Sequence, residues 1–198
     1  MIRWSWTSPA LKVRHKATSD SLANSTNLSG IIFRLDPDGS LHRMLEGVTI
    51  PNGMSWTADE KTMYITDSPT KTISAFDYDA ASGGISNRRP FYKVEEEDGV
   101  PDGHAVDTEG HLWVCCFGLG KVRRVSPQGK VVAEIELPTR CCSCPVFCGE
   151  DLYITSAEEE APEKFKWSVQ YAGSVFKQHV GVSGKKPLRF KWNGGSTQ

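Results

Sequence analysis

The sequence predicts an all-β protein of the propeller type, an incomplete arc of about three and a half blades. The first observation is a repeat: "VTIPNGMSWTADEKTMYITDS" at 48–68 returns in altered form as "DGVPDGHAVDTEGHLWVCCFG" at 98–118, and a degraded third copy follows in "CPVFCGEDLYITSA" at 144–157. The second is its period. Tyr64, Trp113 and Tyr153 head equivalent apolar strands about 40–50 residues apart, the spacing of a propeller blade rather than of a helical solenoid. The third is local: residues alternate as strands do, and no segment shows a convincing amphipathic helical period.

The elements follow in order. Residues 30–47 supply the outer strands of one blade, 49–95 a full blade, 101–137 another and 141–181 most of a further one. "TISAFDYD" and "KVRRVSPQG" read as third strands entering turns, and "DPDG" at 36–39, "AASGG" at 80–84 and "SPQG" at 126–129 carry the Gly, Asp and Pro of tight connections. Three regions result: an irregular leader at 1–29, a partial propeller at 30–192 and a flexible tail at 193–198. An open arc leaves an apolar blade face uncovered at its N-terminal side, next to unpaired strand edges, so self-association through the open edges is expected.

Composition narrows the function. A formal charge of −1 gives no basic field for nucleic acid. No apolar run approaches the roughly 18 residues of a membrane span. The leader is basic and rich in Ser and Thr, loosely like a mitochondrial presequence, and lacks the apolar core of a secretory signal; a cytoplasmic location is the reading adopted. Six cysteines, Cys115, Cys116, Cys141, Cys142, Cys144 and Cys148, do not have zinc-ribbon spacing. They read as reduced thiols filling strand positions that resist modification until the chain unfolds.

With these motifs on the page, "IPNGMSWTADEKTMYITDS", "AFDYDAASGGISNRR", "VPDGHAVDTEGHLWVCCFGLGKVRRVSPQGKVVAEIELP" and "YITSA" resemble the regucalcin and gluconolactonase (senescence marker protein) family over roughly residues 30–192. That resemblance implies a six-bladed β-propeller that binds a divalent cation and hydrolyses sugar lactones. The family's early Glu-Gly-Pro segment, with a metal-ligand glutamate, and its Arg-x-Asn-Asp-Gly segment have no counterpart in these residues. Six blades at roughly 45 residues each need about 270.

The resemblance places Asn52 and Asp102 at two of the family's three protein metal ligands. An amide carbonyl and a carboxylate are hard oxygen donors suited to Ca²⁺, Mg²⁺ or Mn²⁺ and tolerable for Zn²⁺. Repeat geometry supports their meeting, because equivalent positions in neighbouring blades converge on one axis. The alternative is that both are turn residues, since Asn-Gly and Asp-Gly are common turn formers. Asp102 is also the candidate general base, and His104, two residues on, a pocket-lining residue. Asp36, Asp38, Asp77, Asp79, Asp107 and the acidic run at 95–98 read as solvated turn residues. Three functions stay open: a metal-dependent sugar lactonase, a calcium-binding protein without turnover, and an inactive truncated isoform.

Overall fold

The computed structural model describes the backbone of residues 10–14, and residues 30–97, 99–187, 189–190 and 192. Among the described residues fourteen strands form four antiparallel sheets, which amounts to three and a half four-stranded blades. The first sheet holds β1 (Ala10–Arg14), β2 (Gly30–Leu35) and β3 (Leu41–Val48). The second holds β4 (Pro51–Trp56), β5 (Thr62–Asp67), β6 (Thr72–Asp79) and β7 (Gly84–Lys93). The third holds β8 (Val100–Val106), β9 (Leu112–Phe117), β10 (Lys121–Val125) and β11 (Val131–Glu136), and the fourth β12 (Cys142–Cys148), β13 (Asp151–Ser156) and β14 (Val175–His179). Helical structure among the described residues is one 3-10 turn at Ser68–Thr70 and a four-residue helix, α1, at Lys166–Val169.

Strand alternation builds the core. Successive side chains of a strand point to opposite faces, so each second strand serves two blade interfaces at once. In β5, Met63 and Ile65 pack toward the first sheet with Ile32, Val48 and Phe76, while Tyr64 turns toward the third sheet. In β9, Leu112, Val114 and Cys116 join Tyr64, Ile73 and Val94, whereas Trp113 and Cys115 join Leu152 and Ile154 of β13. The same logic leaves Tyr153 on the far face of the fourth sheet. There its neighbours Val146 and Val175 are 53 % and 63 % exposed.

The turns form at the residues that favour them. Gly39, Gly83 and Gly129 each adopt a positive φ and donate the N–H that closes the turn, to the carbonyls of Asp36, Asp79 and Ser126. Two features depart from the sequence reading. Within the segment read as an irregular leader, Ala10–Arg14 forms a strand paired antiparallel with β2; the rest of residues 1–29, and the tail at 193–198, lie outside the described residues. Asp107 is 1 % exposed rather than solvated. Its carboxylate accepts the N–H groups of Glu109 and His111 and the indole N–H of Trp113, and pairs with Arg124.

The cysteines are free thiols. Cys115 and Cys116 are adjacent on β9 and so enter different blade interfaces, and Cys141 and Cys142 are also buried. Burial pushes the Cys116 thiol up to about 12 and that of Cys144 to about 11. Cys148 departs from the uniform expectation, because it ends β12 at an exposed position. A native thiol titration is therefore expected to show Cys148 reacting at once, Cys144 slowly, and the four buried thiols after unfolding. Six fast thiols in the native protein would contradict this packing.

Candidate functional site

The innermost strands β4, β8 and β12 lie side by side, and each breaks register at its start. Pro51 pairs with Asp67 and the next ladder partner is Met54; Pro101 pairs with Cys116 and the next is His104; Cys142 and Cys144 flank the third break. A bulge takes residues out of the ladder and re-aims their side chains. The repeated Pro-Asn-Gly and Pro-Asp-Gly are thus bulge sequences on inner strands, where the resemblance expects ligands.

The glycines permit close approach. A Cβ on Gly53 would sit 2.6 Å from both the Asp102 carbonyl oxygen and His104 Cδ2, and one on Gly103 would sit 2.7 Å from the Ser143 carbonyl oxygen. With no Cβ in the way, neighbouring inner strands nearly touch, and the Asn52 amide lies near enough to the Asp102 carboxylate to favour its charged form. The two sequence-predicted residues meet although 50 positions separate them.

The electrostatics are those of an uncompensated acid. Burial raises the Asp102 carboxyl to about 7, outweighing the Asn52 amide and the Gly103 N–H that pull it down. Among the described residues no cationic side chain contributes to holding its charge. A desolvated carboxylate beside an amide oxygen is a donor set that a divalent cation fits. Among the described residues no three His, Cys, Asp or Glu side chains cluster around a metal position, so this pair supplies two oxygen donors of the six to eight that Ca²⁺ takes.

His104 is 7 % exposed, with Nδ1 3.0 Å from Ser55 Oγ across the β4–β8 interface. Burial pushes its imidazole down to about 4, so the ring is neutral and forms a wall behind Gly53 and Asp102. Cys144 packs against Gly103 on the other side, and its thiol is raised by burial and then by the nearby Asp102. The acidic run at 95–98 takes a different role. Arg123 binds Glu96 at both carboxylate oxygens and holds it down to about 2, while also bonding Glu134 and the Tyr92 hydroxyl; Asp98 lies outside the described residues.

Two residues at this site were not singled out from the sequence. Asp67, 3 % exposed, accepts the backbone N–H groups of Thr49 (3.0 Å) and Ile50 (2.9 Å), fixing the chain just before Pro51-Asn52. Ser68 follows it, accepting from Asn52 Nδ2 at 3.3 Å and donating from Oγ to the Pro101 carbonyl at 2.7 Å. The local signal was the shared "YIT" preceding Asp67-Ser68 and Ser156-Ala157, but the partners lie on another strand.

Residues 13–158 match the model of the SMP-30/Gluconolactonase/LRE-like region. The chain is 36 % identical to the putative sugar lactone lactonase YvrE of Bacillus subtilis over 177 residues, 85 % of this chain and 61 % of that one. It is 40 % identical to regucalcin of Gallus gallus over 170 residues, 81 % of this chain and 56 % of the relative. A crystal structure of a calcium-binding protein, regucalcin, from Agrobacterium tumefaciens superposes with a TM-score of 0.73 at 25 % identity, covering 84 % of this chain and 57 % of that one. The chain thus spans roughly three fifths of the length of the relatives it matches. Among the described residues no helix is long and apolar enough to cross a membrane.

Proposed function

Since the chain belongs to the SMP-30/gluconolactonase/LRE-like family, we propose that its site serves divalent-cation-dependent hydrolysis of a sugar lactone, with Asn52 and Asp102 as cation donors and Asp102 as general base. The observation that carries the reading is the Asp102 carboxyl, desolvated and in contact with the Asn52 amide. What a bound cation supplies is charge, polarising the lactone carbonyl and making a neighbouring water more acidic.

The protein's own part is binding and proton transfer. Asn52 offers a neutral oxygen, so it holds the cation without cancelling its charge. Asp102 is placed as the base that takes a proton from the attacking water and returns it to the leaving alkoxide. His104, neutral and enclosed on the strand that carries Asp102, packs against Gly53. Ca²⁺, Mg²⁺, Mn²⁺ and Zn²⁺ are all compatible with these donors. A pH-stat assay on gluconolactone with and without EDTA tests the reading. Cation-dependent acid release supports it, and release unaffected by EDTA sinks it. Cation binding without turnover is the second reading, supported by the calcium-binding regucalcin among the structural relatives; a cation-induced melting shift with no acid release would select it.

The raised carboxyl also fixes a pH dependence. In metal-free protein, folded Asp102 titrates near 7 against an ordinary value of 3.8, so between these pH values the folded state holds more protons than the unfolded one. Stability contributed by this group therefore falls as pH rises through that window. Asp102→Asn, which carries no charge to desolvate, is expected to stabilise the EDTA-treated protein at pH 8, by roughly 4 kcal/mol at most, and to change little at pH 4. Urea denaturation at the two pH values checks this. Equal effects at both would show that the charge is not the cause.

A further inference from the structure

We propose that Ser68 is a positioning residue that sets which way round the Asn52 amide sits, a reading that rests on the cation site above. The argument is one of hydrogen-bond polarity. A serine hydroxyl has one proton to give, and the Pro101 carbonyl oxygen can only accept. At 2.7 Å that proton belongs to the Ser68 Oγ–Pro101 bond. Toward Asn52, Ser68 can then only accept, so the amide end facing it at 3.3 Å must be Nδ2. The Asp102 carboxylate, likewise an acceptor when ionised, lies near the amide and favours the same orientation.

Nδ2 is thus committed to the hydroxyl in the turn after β5. Oδ1, the amide atom able to ligate a hard cation, is left as the free end. Turned over, the amide would set Oδ1 against the carboxylate and against a hydroxyl whose proton is already used. The flipped state is penalised twice and the ligating state is preorganised. Hydrogen-bond partners of ligands commonly change metal affinity by about 10–100-fold.

Calorimetric titration of the EDTA-treated, dialysed chain with Ca²⁺ alone tests the assignment. Ser68→Ala is expected to weaken Ca²⁺ binding about tenfold or more, and Ser68→Thr, which keeps the hydroxyl, to stay within about threefold of wild type. The decisive arm uses Asn52→Asp. A carboxylate has two equivalent oxygens and no wrong way round, so in that background Ser68→Ala should cost no affinity. A merely structural role for Ser68 would persist there. Loss of affinity in Ser68→Ala that is undiminished in the Asn52→Asp background overturns the proposal, as does Ser68→Ala binding within twofold of wild type. If alanine unfolds the chain, Ser68→Cys, similar in size and a weak donor, reads the same question with the same expected loss, and wild-type affinity there overturns it too. Asp102→Ala separates the two levels: binding that survives it defeats the cation site itself, whereas binding that it abolishes while Ser68→Ala leaves it intact defeats only the role of Ser68.

Discussion

Asp102→Ala is expected to abolish the rise in melting temperature that the proposed cation site predicts with Ca²⁺, and to lower the rate of lactone hydrolysis by about 10²–10⁴-fold. Both losses come from one side chain. A cation that binds only the folded state stabilises it by mass action, and of the two donors Asp102 is the charged one, the one whose desolvation goes uncompensated until a cation arrives. Asn52→Ala, removing a neutral donor, is expected to weaken the shift rather than erase it. The comparison must be made above pH 7, because a protonated carboxyl competes with the cation. A melting shift that survives both substitutions would place the cation elsewhere. The acidic run at 95–98 is a poor refuge for it, since Arg123 already neutralises Glu96 at both oxygens.

The extent to which these features could be read from the sequence follows from the range of the interactions behind them. The blades were legible because period-two alternation and turn chemistry are local: Met63-Tyr64-Ile65, Leu112-Trp113-Val114 and Leu152-Tyr153-Ile154 repeat the same inward and outward order. The meeting of Asn52 with Asp102 was legible for a related reason, as equal places in a repeat become neighbours when blades stack. Asp107 was misread because its turn looks like any Asp-x-x-Gly turn, while the groups that bury it, Trp113 and Arg124, come from the next two strands. Strand β1 escaped notice because no turn signal near Arg14 announces a partner that begins at Gly30. Ser68 was invisible because its hydroxyl acts across 33 positions on a backbone carbonyl, and serine after a strand carries no sign of such a task. Contacts between blades are set by stacking, which no local pattern encodes.

The same close stacking makes Gly103→Ala a strongly damaging substitution next to the site. The new methyl carbon would lie 2.7 Å from the Ser143 carbonyl oxygen and 2.9 Å from the Cys144 Cα and Cβ. Two of these atoms are backbone of β12, and β12 is held by its ladder to β13 and by the core that Cys142, Leu152 and Ile154 share with Trp113. No side chain can swing aside to absorb the contact, so the third and fourth blades must part. We expect a loss of about 3 kcal/mol or more, the upper range of overpacking. Separation of the inner strands also moves Asp102, and the Ca²⁺ response should fall with stability. Gly149→Ala is the control. Its Cβ would meet nothing within 4 Å, and its φ of +61° leaves backbone strain of about 1–2 kcal/mol as the whole cost. Denaturant unfolding in EDTA, followed by Ca²⁺ titration of whichever variants fold, separates the two effects. A Gly103→Ala protein within about 1 kcal/mol of wild type and with unchanged Ca²⁺ affinity would show that β8 and β12 can yield, and that the tight inner ring does not hold Asp102 in place.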